Sequence, residues 1–144
     1  MESTTQYRVV QNFDDLLKSF FVRGIVFCEG QGIAYSDEVD GFDFSAVHFL
    51  GVIDDEPVAT ARMRFLGDFV KIERLAVREK YRGKGIGKEM FTFILNHISK
   101  MECTKLKLHS QAYLVKFYED FGFVKKGESF FEADIEHYYM EKVE

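Results

Sequence analysis

Glycines at positions 83, 85 and 87 alternate with side chains of another kind in the stretch Arg82-Gly83-Lys84-Gly85-Ile86-Gly87-Lys88. Glycine lets a backbone approach a ligand closely, and successive N–H groups opening a helix converge on an anion at the positive end of its dipole. The chemistry offered is the binding of phosphate or pyrophosphate, with Arg82, Lys84 and Lys88 adding charge-assisted contacts to the same group. Two common phosphate loops do not fit. A Walker loop needs Ser or Thr after its lysine to hold magnesium, but Lys88 is followed by Glu89, and a dinucleotide fingerprint needs GxGxxG where the spacing here is GxGxG.

The loop lies in a basic island. Residues 71–88 hold Lys71, Arg74, Arg78, Lys80, Arg82, Lys84 and Lys88 against Glu73 and Glu79, a local charge of +5 in a 144-residue chain of net charge -5. The 19 Lys and Arg and 24 Asp and Glu of the whole chain thus leave 12 basic and 22 acidic residues elsewhere, or -10. An acidic total with one basic spot argues against a nucleic-acid or anionic-membrane binder and suits a compact polyanion. Cys28 and Cys103 have no ligand spacing, so no metal site is expected. The first residues carry no basic n-region or apolar h-region, and no apolar run approaches the roughly 20 residues of a membrane helix, so a cytoplasmic protein is expected.

An anion loop needs a strand before it and a helix after it. Residues 69–77 alternate, which predicts Lys71, Glu73, Leu75 and Val77 on one face and Val70, Ile72, Arg74 and Ala76 on the other. Beyond the glycines, Ile86, Met90, Phe93, Ile94, His97, Ile98 and Met101 recur at helical spacing over about four turns. Upstream, residues 6–10 read as a strand, and Asn12 caps a helix with Phe13, Leu16, Leu17 and Phe20 as its apolar stripe, a pattern that decays after Gly24. Residues 46–53 and 58–65 form a hairpin turning at Asp54-Asp55-Glu56-Pro57. Residues 104–110, 123–125 and 137–142 read as strands, and 112–121 as a helix ending at Gly122. Strands interleaved with helices, without linker or repeat, predict one three-layer α/β domain over residues 1–144 around a mixed sheet.

The strand Glu73-Arg74-Leu75-Ala76-Val77 followed by Arg-x-x-Gly-x-Gly resembles the acetyl-CoA site of the GNAT superfamily of N-acetyltransferases. Phe117-Tyr118-Glu119-Asp120-Phe121-Gly122-Phe123 resembles the C-terminal helix motif of that superfamily. The resemblance covers residues 46–142. It implies the GNAT fold, a central mixed, mostly antiparallel sheet flanked by helices, in which strand 69–77 splays from its neighbour and the pantetheine arm lies in the opening. Backbone groups of Leu75 and Val77, on either side of Ala76, would bond that arm, and the amides from Gly83 through Ile86 to Lys88 would hold the pyrophosphate. A backbone donor aimed at developing oxyanion charge is worth about 3 kcal/mol of barrier.

The resemblance also implies direct attack by an amine, without metal or covalent enzyme intermediate, and it offers acid and base. Tyr118 matches the position of the proton donor; its bland alternative is a tyrosine packed between core and rim. Glu73 matches a carboxylate base, against a glutamate merely paired with Lys71 or Arg62. The ending His137-x-x-Met140-x-Lys142 is similar to the branch that includes glyphosate and small amino-acid N-acetyltransferases, where the histidine is a base, and imidazole titrates near 6.5. His109, in His-x-Gln-x-Tyr, would hold the sheet opening or the substrate. His48 and His97 read as structural.

The acceptor is less legible. Phe27 to Gly32, containing Glu29, and the acidic residues 37–43 fall where this fold builds its acceptor pocket, and the acidic stretch either attracts an amine or is solvated. Arg23, Arg62 and Arg64 are alternatives that would bind a carboxylate or phosphate. The expected protein is a monomeric or homodimeric N-acetyltransferase acting on a small-molecule amine. A silent acetyl-CoA sensor and a protein acetyltransferase are the other readings.

Overall fold

The computed structural model describes residues 4–103 and 105–143; Thr104, read above as the first residue of a strand, lies outside them. The strands are β1 (Gln6–Val9), β2 (Val47–Ile53), β3 (Glu56–Leu66), β4 (Phe69–Val77), β5 (Lys105–Gln111), β6 (Val124–Lys125), β7 (Phe130–Glu132) and β8 (Ile135–Val143). Among the described residues they make one sheet in the order β1-β2-β3-β4-β5-β8-β6, with β7 also on β8. Every neighbour pair is antiparallel except β4 with β5. The helices are α1 (Phe13–Arg23), α2 (Tyr35–Glu38), α3 (Ile86–Ser99) and α4 (Val115–Glu119). The mixed, mostly antiparallel sheet and flanking helices are those expected.

One face of the sheet is apolar. Met90, Phe91, Ile94 and Ile98 of α3 form one buried cluster with Met63, Ile72, Leu108 and Met140, each worth about 1.5–3 kcal/mol on burial. The Phe91 ring meets those of Phe117, Tyr118, Phe121 and Phe123 at 4.8–5.9 Å, which ties α3 to the segment around α4.

The other face departs from the expected pattern. Asn12 does cap α1, its side chain accepting from the Asp15 N–H at 2.8 Å. Yet the buried side of α1 is Asp15, Ser19, Val22 and Arg23, while Phe13 is 72% exposed and Leu17 49%. Charge pairing decides this orientation: Arg8 holds Asp15 through two bonds of 2.8 and 2.9 Å, and Arg23 reaches Glu38 and Asp43, each at 2.7 Å. Beyond Gly24 the helix continues as a wider π-helical turn to Gly30, burying Val26 and Phe27. Its longer repeat explains why the 3.6-residue periodicity ends there although the helix does not.

Arg62 lies under this layer with no exposed surface. It donates to Asp40, to Asp43 at 2.9 Å and to Glu73 at 3.1 Å. Glu73 also accepts from Arg64 at 2.7 Å and faces Lys71 at 3.1 Å. Glu38 and Asp40 in turn hold Arg74, whose backbone has φ +57°. This is a β-bulge: Arg62 lies opposite Glu73, but Thr60 lies opposite Ala76, so β4 carries an extra residue. The bulge overturns the predicted alternation. Ala76 turns to the α1 side, against Val22, Val26 and Phe27, while Leu75 and Val77 pack on the α3 core, away from the face of Glu73.

Other differences are local. The β2–β3 turn is Asp54-Asp55, both at positive φ, and Pro57 lies inside β3 beside a register shift, where its missing N–H breaks no regular ladder. The β7 hairpin was not foreseen because its turn, Ala133-Asp134 at φ +48° and +61°, lacks the usual glycine.

Arg62→Met leaves three buried or half-buried carboxylates short of their shared cation and should cost about 3–5 kcal/mol in urea unfolding. Burial works to raise the Glu73 carboxyl, but Arg64, Arg62 and Lys71 outweigh it and hold it at about 2, against an ordinary 4.5. With the folded value depressed, its contribution is complete above the unfolded value and lost as pH falls from about 4.5 to about 2. Acid titration of unfolding midpoints in wild type and Glu73→Gln should therefore converge at the low end of that window.

Candidate active site

Among the described residues, the only parallel pairing of the sheet is also short. β4 and β5 are in register at Phe69–Lys105, Val70–Leu106 and Lys71–Lys107 and then part. Beyond Lys71, β4 is bulged toward β3 and has lost β5, so its backbone lines an opening. The opening is a cleft of about 750 Å³ that runs from the glycine loop to the ends of β5 and β8.

The loop end answers to the sequence reading. Gly83 and Gly85 have φ +78° and +82°, the left-handed region that favours glycine. The first helical bond of α3 runs from the Glu89 N–H to the Gly85 carbonyl at 3.0 Å, leaving the N–H groups of Ile86, Gly87 and Lys88 outside the ladder and free for an anion. A Cβ at Gly87 would stand 3.7 Å from Val77, so the helix start lies close against β4. Arg82 lines the cleft, its Nε bonded to the Val77 carbonyl at 2.8 Å. Lys84 and Lys88 are exposed and stand outside the lining.

The far end gathers the predicted acid and base. Tyr118 is 7% exposed and lines the cleft, and burial, with Tyr113 adding to it, raises its phenol well above the ordinary value so that it keeps its proton. His137 is 8% exposed. Its Nδ1 lies 2.7 Å from the Ile135 carbonyl, an acceptor only, so Nδ1 carries the hydrogen and in the neutral ring the lone pair is on Nε2. Glu73 also lines the cleft, but a carboxylate held by three cations at about 2 has little affinity for a proton.

The substrate candidates divide. Arg64 and His109 line the cleft. Arg23, 3% exposed and bonded to Glu38 and Asp43, is spent on the fold, and Glu29 is exposed away from the cleft. The acidic stretch and the arginines, read as rival ligands for a substrate, satisfy one another instead: Glu38, Asp40 and Asp43 are bound by Arg23, Arg62 and Arg74. The sequence reading missed Gln31 and Gln111, which bond each other at 3.0 Å across the cleft wall, and Glu132, which meets His109. No spacing signal marks such pairs, because their partners are 80 and 23 residues apart.

Residues 42–144 match the family model described as the acetyltransferase (GNAT) domain. The chain belongs to the GNAT acetyltransferase family. An acetyltransferase-family protein of Bacillus subtilis (strain 168) is 35% identical over 131 residues, covering 89% of each chain. ElaA of Escherichia coli (strain K12) is 34% identical over 122 residues, 81% of this chain and 79% of its own. The crystal structure of Escherichia coli ElaA superposes with TM-score 0.83 at 26% identity over 96% of this chain and 99% of its own. That of an acyl-CoA N-acyltransferase from Pseudomonas aeruginosa superposes with TM-score 0.90 at 25% identity, over 97% and 100%. This GNAT acetyltransferase has the family's acyl-CoA N-acyltransferase fold. No helix among its described residues is long and apolar enough to cross a membrane.

Gly85→Glu places a strained, anionic side chain where the loop amides converge and should weaken acetyl-CoA binding at least about 100-fold, or roughly 2.7 kcal/mol, by titration calorimetry. Unchanged affinity would remove the loop from coenzyme binding.

Proposed function

We propose that this GNAT acetyltransferase uses acetyl-CoA to acetylate the primary amine of a small molecule by direct attack, without metal. The observation that carries the reading is that one cleft joins an anion-binding helix start, a strand edge stripped of its neighbour, a protonated buried tyrosine and an imidazole with a free Nε2.

The chain fits the coenzyme at each of these points. The amides from Gly83 to Lys88, with Arg82, take the pyrophosphate, and the freed backbone of Leu75 and Val77 takes the pantetheine amides as a strand neighbour would. Bound acetyl-CoA supplies an activated thioester. Tyr118 donates a proton at the departing sulfur, and the Nε2 of His137 accepts one from the attacking nitrogen, each contribution being commonly worth about 10²–10⁴-fold. Glu73 organises Arg62, Arg64 and Lys71 and does not act as the base. Arg64 and Lys71 border the acceptor end as cations that share one carboxylate. The cleft is walled by α2, the β7–β8 hairpin and the segment Ala112–Leu114, which favours a small acceptor over a protein chain.

Release of CoA thiol across amino acids, polyamines, aminoglycosides, amino sugars and N-terminal peptides tests the assignment, and binding without release on every acceptor would mark a sensor. Tyr118→Phe should lower kcat by about 100-fold or more while the dissociation constant for acetyl-CoA stays within about twofold. Wild-type turnover in that variant would take Tyr118 out of the chemistry.

A further inference from the structure

The cleft holds a second imidazole that this reaction scheme leaves unused. His109 on β5 lines the acceptor end, and its Nδ1 lies 2.6 Å from Oε1 of Glu132 at the tip of the β7–β8 hairpin. The hydrogen bond from His109, against the effect of burial, holds the Glu132 carboxyl below its ordinary value, with His137 and Lys71 adding to the effect. Glu132 is therefore a carboxylate, which only accepts, and Nδ1 of His109 must carry the hydrogen. In the neutral ring the lone pair of His109 is then on Nε2, as in His137.

The two rings differ in what stands behind them. His137 is backed by the neutral carbonyl of Ile135, and His109 by the charge of Glu132. The Phe130 ring contacts both, edge-on to His109 at 5.0 Å and stacked on His137 at 6.0 Å, and both imidazoles line the cleft. Around the pair, Glu132 and the Tyr139 ring contact His109, His137 and Lys71 act on Glu132, and Lys107 shares the face of His109 two residues along β5.

An alkylamine reaches the cleft mainly as an ammonium ion and has no lone pair for attack until one proton leaves; a second must leave before the product is a neutral amide. We propose that the His109–Glu132 pair takes the first of these protons and His137 the second. In the first step an N–H bond of the ammonium breaks, its electron pair stays on nitrogen, and the proton bonds to Nε2 of His109. The resulting imidazolium is held by the Glu132 carboxylate through a charge-assisted hydrogen bond at Nδ1. Glu132 is the positioning residue, acting through His109. This inference rests on the acetyl-transfer reading of the cleft.

The test compares wild type with Glu132→Gln, which keeps an acceptor for the Nδ1 hydrogen and removes the charge. The acceptors are benzylamine, an ammonium ion at neutral pH, and O-benzylhydroxylamine, which is neutral there. At about pH 7, CoA release with benzylamine should fall about 10–100-fold in kcat/KM. The deficit should shrink severalfold at about pH 9.5, where more free amine is present, and be severalfold smaller with O-benzylhydroxylamine at either pH. An equal loss for both acceptors at both pH values would overturn the proposal, since a merely structural role predicts it. Imidazole ¹⁵N NMR of the wild-type chain reads the pair without turnover: His109 protonated on Nε2 and bare on Nδ1 would also overturn it. If wild type releases no CoA from either amine or from any acceptor of the panel above while the NMR shows the expected tautomer, the acetyl-transfer reading falls and the proton assignment falls with it. Release by wild type with an equal Glu132→Gln deficit for both acceptors sinks only the division between the histidines.

Discussion

A guanidinium with no exposed surface must find its counter-charges inside the protein, and Arg62 imposes that requirement on everything around it. Asp40 and Asp43 come to it from the connection after α2, and Glu73 from the neighbouring strand. Each is then shared: Asp43 with Arg23 of α1, Asp40 with Arg74 of the bulge, Glu73 with Arg64 and Lys71. The first helix, the acidic connection and two strands are thereby locked to one ion. A non-glycine residue in left-handed backbone costs on the order of 1 kcal/mol or more, and at Arg74 its own side chain, bonded to Glu38 and Asp40, opposes that cost.

The bulge links this ionic layer to the chemistry. By adding a residue to β4 it turns Ala76 toward α1 and aims Leu75 and Val77 into the α3 core, so beyond Lys71 the strand's backbone edge, without β5, borders the cleft. The same layer neutralises most of the charges that border the acceptor end. What remains for chemistry there is a small polar set, Tyr118, His137, His109 and Glu132, carried on β5, β8 and their connections.

The coenzyme end of the cleft was legible in the sequence because its determinants are local. Glycine spacing, the helix that follows and the aromatic motif around Tyr118 are contiguous, and each acts within a few residues. The acceptor end depends on pairings between distant charges, which no periodicity reports. Arg23 and Arg62 looked like candidates for a substrate anion, and residues 37–43 like bait for an amine, because a sequence shows charge without showing its partner. The face of Glu73 was misassigned for a related reason: a single extra residue reverses the alternation of a strand, and Arg74 carries no signature of left-handed backbone. The inward side of α1 was missed because buried ion pairs displaced the apolar stripe that normally marks it.

The short seam between β4 and β5 has a mechanical consequence. Three residue pairs join two stiff plates, β1 to β4 on one side and β5, β8, β6 and β7 on the other. Each backbone bond in the seam contributes only about 1 kcal/mol, so the seam is compliant and cannot by itself set the angle between the plates. That angle is fixed from beneath, where Phe91 of α3 meets the rings of Phe117, Tyr118, Phe121 and Phe123. The ring cluster works as a stop on a hinge, and the spacing between the glycine loop and the Tyr118 hydroxyl is a length gauged by hydrophobic packing on the far side of the sheet.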